Sequence, residues 1–214
     1  MPQSNHRLLP LNDLSSVQPP RQSRRRLQRP ADFTGGPLVT FRQVFLRHGL
    51  PGALLGAFCL FHPGMRALLV EATAQAVSTP LPYLLAGSLI LIGLSAYTRY
   101  AGGGWSRSQL GWVFYLGVLS LWEEWVFRLA IPYTLKDQGT ELIVGIILCN
   151  ILFGFIHYFT LRWKWQWCVA ACIGGFAFSR QMDMHFDLLV VAGIHWVATC
   201  LNTPRPPGLR STNL

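Results

Sequence analysis

Apolar runs that approach the length of a bilayer crossing dominate this chain from residue 49 onward. They lie at about 49–61, 81–99, 109–135, 141–161, 163–179 and 187–202. A helix rises 1.5 Å per residue, so about 20 residues are needed to cross ~30 Å of hydrocarbon. Lipid offers the backbone no hydrogen-bond partners, so runs of this kind fold as helices that satisfy themselves internally. The expected fold class is all-α, a polytopic membrane helix bundle of about six transmembrane helices. Composition agrees, since 51% of the residues are hydrophobic and only 13% are charged, too few charges for a soluble domain of this size. The first run is the shortest. His62-Pro63 interrupts it twelve residues after it starts at Leu50, a pattern that also fits half of a broken or re-entrant helix.

The net charge of +9 does not point to nucleic acid, because eight of the eighteen basic residues precede position 48, Arg24-Arg25-Arg26 among them. That segment is rich in Pro, Gln and Ser and poor in apolar residues, so it reads as a disordered basic tail suited to an anionic inner leaflet. The expected domains are a cytoplasmic tail over 1–48, a helix bundle over 49–203 and a short tail over 204–214. Six crossings with the N-terminus inside leave fourteen basic residues inside and three outside (Arg66, Lys136 and Arg180), with Arg128 within a span. The excess on the inner side is what the positive-inside rule asks for. The first apolar run comes too late for a signal peptide. These features describe a multi-pass protein of a bacterial plasma membrane with a cytoplasmic N-terminus and lipid as its surroundings. The five cysteines fall in apolar runs, where a thiol behaves as a small hydrophobe, and no disulfide framework is expected.

Three charges interrupt the third run. Glu123, Glu124 and Arg128 lie near its middle, where an ionised side chain costs at least ~2.5–3.5 kcal/mol. Glu124 and Arg128 are spaced i,i+4 with the acid first, the favourable order for an ion pair within a helix. Glu123 is turned by about 100° from Glu124 and has no comparable partner on its own helix. The fourth run carries Asn150, Phe153 and His157 on one stripe, and the last carries His195 with Thr199 one turn later and Asn202 beyond it. Measured from the loop at Lys136–Thr140, Glu123 lies ~18 Å deep and His157 ~24 Å, while His195 lies ~12 Å from the start of its own run on that side. With ordinary helix tilt the three are expected to meet inside the membrane. His6, His48, His62 and His185 fall in the tail region or near the ends of runs and are read as having no part in that site.

The pattern Glu123-Glu124-x-x-x-Arg128, Phe153-x-x-x-His157 and His195-x-x-x-Thr199, each part in a separate apolar run, resembles the CAAX protease and bacteriocin-processing family, which includes the type II CAAX prenyl endopeptidases. The likeness covers roughly residues 110–203. It departs at Thr199, where the family usually has Asn or Asp. The resemblance implies an intramembrane endopeptidase acting on a membrane-associated or C-terminal, CAAX-like peptide. In it Glu123 and His157 activate water, His195 with Thr199 steadies the oxyanion, and Glu124 and Arg128 complete the catalytic motif. Phe153, packed beneath His157, and Asn150 are the candidates for substrate contact. Members are often described as metalloproteases, and Glu123, His157 and His195 form the candidate zinc set. A buried Glu–His pair also activates water without metal, and the His-Glu-x-x-His pattern of soluble zinc proteases is absent, so no firm cofactor is expected.

Two readings from other classes compete. A non-catalytic scaffold or bacteriocin-immunity protein would keep the fold for binding, and the change at Thr199 favours it. A proton-coupled carrier would use buried Glu and His as a relay, but the few spans and the lack of inverted repeats count against it.

Overall fold

The computed structural model of the protein describes Leu38, residues 40–102 and residues 106–207. Residues 1–37 of the tail expected over 1–48, and the end of the chain after 207, lie outside the described residues. Seven helices and no strand occur among the described residues: α1 (Phe41–Cys59), α2 (Pro63–Ser78), α3 (Pro80–Gly102), α4 (107–137), α5 (Leu142–Thr160), α6 (Trp165–His185) and α7 (Leu188–Asn202). The chain is an all-α membrane helix bundle. Its outward faces are apolar, with Phe58, Phe61, Val77, Leu89 and Ile173 all more than 60% exposed. In a soluble protein such continuous apolar surface would be covered.

Local chemistry sets the helix ends. Thr40 and Gln43 form a reciprocal capping box that starts α1, eight residues before the boundary expected at 48. Residues 41–48, assigned to the tail by their basic character, are therefore helical. His62 caps α2 and Pro63 occupies its first turn, where a missing N–H costs nothing. The α1–α2 pair bends by 102° at this point. Apolar length alone passed over α2, because Arg66, Glu71, Thr73 and Gln75 break its hydropathy. Of the helices, α3 over Pro80–Ala101 and α5 are each long and apolar enough to cross a bilayer, and the bent α1–α2 pair qualifies as one broken span.

The central element is α4. It runs as α-helix over Arg107–Glu124, widens to π-helix over Trp125–Ala130, and returns to α-helix over Ile131–Asp137. All six residues of the π segment are buried. Indole donors join it to its neighbours. Trp125 Nε1 donates to the Gly56 carbonyl of α1 at 3.1 Å, and Trp196 Nε1 of α7 donates to the Val113 carbonyl at 2.8 Å. Tyr83 of α3 donates to Asp187, the residue that caps α7.

The α5–α6 contact depends on a missing side chain. A Cβ at Gly154 would sit 2.8 Å from the Cys168 carbonyl oxygen, closer than carbon and backbone oxygen approach. Gly154→Ala is expected to force the two helices apart and to cost about 1–3 kcal/mol. A fall in the thermal midpoint of the detergent-solubilised protein reads this out, and an unchanged midpoint would show that α6 yields freely there.

Candidate active site

Three helices bring the expected residues together, and a fourth adds one that was not expected. From α4 come Glu123, Glu124 and Arg128; from α5, His157; from α7, His195; all are buried. His157 Nε2 lies 3.7 Å from Glu123 Oε1, and His195 Nε2 lies 3.7 Å from Glu123 Oε2. The added group is His48, on the π-helical turn Phe45–Gly49 of α1, with Nε2 only 2.8 Å from Glu123 Oε1. Its rejection as a tail residue is corrected by this position. Both π-helical segments among the described residues thus adjoin or carry site residues, in keeping with where such segments recur.

Hydrogen bonds fix the tautomers. The Phe153 carbonyl is 2.7 Å from His157 Nδ1 and can only accept, so Nδ1 carries the hydrogen and the neutral ring presents a bare Nε2 to Glu123. Thr160 donates its one hydroxyl hydrogen to the Ile156 carbonyl at 2.6 Å. Its oxygen must therefore accept from His48 Nδ1, 2.8 Å away. His48 Nε2 consequently also faces the carboxylate without a hydrogen of its own when neutral. Arg47 secures this end of α1 by donating from Nε to the Thr160 carbonyl and from Nη2 to the Phe159 carbonyl, at 3.0 and 2.7 Å. Those are orphan acceptors at the negative end of α5.

The second carboxylate is occupied differently. Glu124 Oε2 is 3.5 Å from Arg128 Nε, the intrahelical pair expected from the spacing, and Oε1 is 2.7 Å from His195 Nδ1 without the alignment of a full hydrogen bond. The Arg128 guanidinium also lies over the Phe153 ring at 4.3 Å from its centroid, a favourable cation–π placement. Phe153 in turn packs edge-on against His157 at 4.4 Å, and Trp163 closes the other side of that ring at 4.7 Å. Phe178 stacks on His195 at 4.9 Å. Asn150 is fully buried and donates to the Ile146 carbonyl and to Ser179 Oγ. At Gly175, α6 comes so near that a Cβ would strike both Asn150 and Arg128. Thr199 stands one turn past His195, half-buried, and among the described residues its hydroxyl makes no hydrogen bond to the site.

An apolar cavity of about 160 Å³ opens onto this cluster. Its walls include Leu55, Leu119, Trp122, Phe127 and Ile156, and the polar groups on it are His48, Glu123 and Thr160. At ~30 Å³ per water it holds about five waters or one large side chain. Asn150 and Phe153, the expected substrate contacts, do not line it.

Donor atoms of His48, Glu123 and His157 all lie within 4.8 Å of one another. Two of these belong to the expected zinc set, and His48 stands in place of His195. Both histidines have the outer nitrogen tied by a hydrogen bond, as zinc-bound imidazoles do, so the donor set fits a zinc-class ion.

Residues 105–201 match the family model for type II CAAX prenyl endopeptidase Rce1-like proteins, a little under half of the chain. This segment is similar to the Rce1-like proteins. No curated protein and no solved structure matches the chain. The Rce1-like segment contains Glu123, Glu124, Arg128, His157 and His195 but not α1, so His48 enters the site from outside it. The family that this segment resembles is one of peptide hydrolases, and the apolar helices of the chain are those of an integral membrane protein.

Proposed function

We propose that the protein is an intramembrane endopeptidase that hydrolyses a peptide bond of a membrane-associated or C-terminal, CAAX-like substrate with a water activated by Glu123 and His157. One observation carries this reading. A carboxylate oxygen and a bare imidazole nitrogen face each other at 3.7 Å, too far for a direct hydrogen bond and suitably spaced to accept both hydrogens of one water. Loss of a proton to this pair turns the water into a nucleophile. His195, held at Nδ1 by Glu124, directs Nε2 toward the far side of Glu123, where it donates to an oxyanion when it carries a hydrogen. Thr199 takes the place of the family's amide or acid, and its shorter hydroxyl is left a supporting part at most. Were zinc bound, His48, Glu123 and His157 would hold it, and it would supply Lewis-acid polarisation of the water or carbonyl.

The cavity supports access from the lipid side, since its walls are apolar and Glu123 lies on it. The arginine-rich segment before residue 48 supports a cytoplasmic N-terminus in a plasma membrane.

A cleavage assay in detergent or proteoliposomes with quenched peptides ending in a prenylated or unprenylated CAAX-like sequence tests the reading. His157→Ala is expected to lower kcat/KM by roughly 10²–10⁴ while the thermal midpoint stays close to that of the wild type. A chelator arm reports on metal. Wild-type protein that binds these peptides and leaves them intact would instead favour the scaffold reading.

A further inference from the structure

Where α1 meets α4, one kind of contact is made twice and omitted once. Gly49, Gly52 and Gly56 lie at i, i+3 and i+7, on one face of α1. A Cβ at Gly49 would strike the ring and hydroxyl of Tyr115, and one at Gly56 would strike the indole of Trp122. Two rings of α4 thus occupy the space left by two absent side chains. No group does so at the middle glycine. A Cβ at Gly52 would meet nothing within 4 Å among the described residues, and Leu119, which falls between Tyr115 and Trp122 in sequence, borders the space without a ring. That space belongs to the cavity of about 160 Å³, whose wall includes both Gly52 and Glu123.

Size and lining decide what can enter. Apart from His48, Glu123 and Thr160 the side chains on the wall are apolar, so a charged or amide side chain would lose its water there without regaining its hydrogen bonds. An apolar cavity of about 150 Å³ holds one benzene molecule, so this one is matched to a single ring or branched aliphatic group. A farnesyl chain, with roughly two and a half times the carbons of benzene, does not fit. The carbonyl carbon under attack is bonded to the Cα of one flanking residue and, through the peptide nitrogen, to the other. A carbonyl held at Glu123 therefore brings a flanking side chain to the cavity. We infer that the cavity is a specificity subsite that takes a large apolar side chain, of Leu or Phe size, from a residue flanking the scissile bond, and that Gly52 sets its size. The inference rests on the endopeptidase reading above and narrows it to substrates with such a residue at the point of cleavage. Gly52 lies outside the Rce1-like segment, so α1 supplies the selectivity.

The test uses quenched peptides with Ala, Leu, Phe, Trp or S-farnesylcysteine on either side of the scissile bond. With wild-type protein, kcat/KM is expected to rise by roughly 10–100-fold from Ala to Phe on one side of the bond. The S-farnesylcysteine peptide is expected to be cleaved more slowly than the Phe peptide. Gly52→Leu projects a side chain into the cavity and is expected to lower the Phe-to-Ala ratio by roughly 10–100-fold. A glycine replaced within a helix also gains helix propensity, so the fold is expected to hold. Leu55→Ala enlarges the same cavity and is expected to raise the Trp-to-Phe ratio by about tenfold. Opposite shifts in a ratio separate a subsite from a loss of folded protein, which lowers every peptide alike. An unchanged Phe-to-Ala ratio in Gly52→Leu overturns the inference, as does wild-type cleavage that is fastest with S-farnesylcysteine. If Gly52→Leu loses its thermal transition, Leu55→Ala decides, and an unchanged Trp-to-Phe ratio overturns it. Wild-type cleavage that ignores the flanking side chains overturns this inference alone. Wild-type protein that cleaves none of the peptides overturns the endopeptidase reading as well.

Discussion

Glu123→Gln is expected to leave a folded protein that cleaves peptide about 10³-fold more slowly than the wild type. The substitution preserves shape and hydrogen-bonding capacity but removes the basic carboxylate around which three histidines are grouped, at 2.8 and 3.7 Å from Oε1 and 3.7 Å from Oε2. Neutral His48 can accept from the new amide N–H, so the α1–α4 contact persists. The base that activates the water is thereby lost while the groups around it stay in place. Measurement of kcat/KM beside a thermal midpoint separates chemistry from folding. Cleavage within a few-fold of wild type would remove Glu123 from the mechanism and the endopeptidase reading with it.

Arg128→Met is expected to act on the fold. It removes the counterion of Glu124, a carboxylate with no exposed surface, and breaking a buried pair by deleting one member costs about 3–5 kcal/mol. His195 lies 2.7 Å from the other oxygen and can take over part of the neutralisation as imidazolium, which points to the lower half of that range. Loss of the cation over Phe153 adds a smaller cost. Most of the stability is expected to return in Glu124→Gln/Arg128→Met, because no uncompensated charge then remains. Folded yield and midpoint of the two singles and the double give the coupling directly. A single variant as stable as wild type would mean that the pair does not hold the segment in the membrane.

Much of this arrangement was legible in the residues, for identifiable reasons. Charges are so costly in lipid that Glu123, Glu124 and Arg128 stood out against an apolar background, and counting 1.5 Å per residue placed Glu123, His157 and His195 at depths that could meet. The Glu124–Arg128 contact followed from i,i+4 spacing, even though the helix widens to π geometry right after Glu124. What failed was reading a span from its flanking charge. Arg47 and His48 looked like a boundary, yet the apolar residues Phe41, Val44, Phe45 and Leu46 before them continue the same helix. Treating Phe41–Cys59 as one segment would have brought His48 into view as a fourth intramembrane ionisable group. The tautomers were out of reach, because they depend on Thr160 and on two carbonyls whose positions only the folded chain defines. Asn150 lies off the cavity, since sharing a stripe with His157 implies a common helix face and not a common cavity.

The Arg47 fork on the end of α5 bears on how this protein can be cut down. A fragment trimmed to the segment that matches the family would keep both glutamates, Arg128, His157 and His195, and would still leave two acceptors bare at the end of α5, one wall of the cavity open and His48 missing. Fragments that begin ahead of Thr40 keep Arg47 and the α1 side of the cavity, so the smallest complete unit is set by a surface clamp rather than by the motifs.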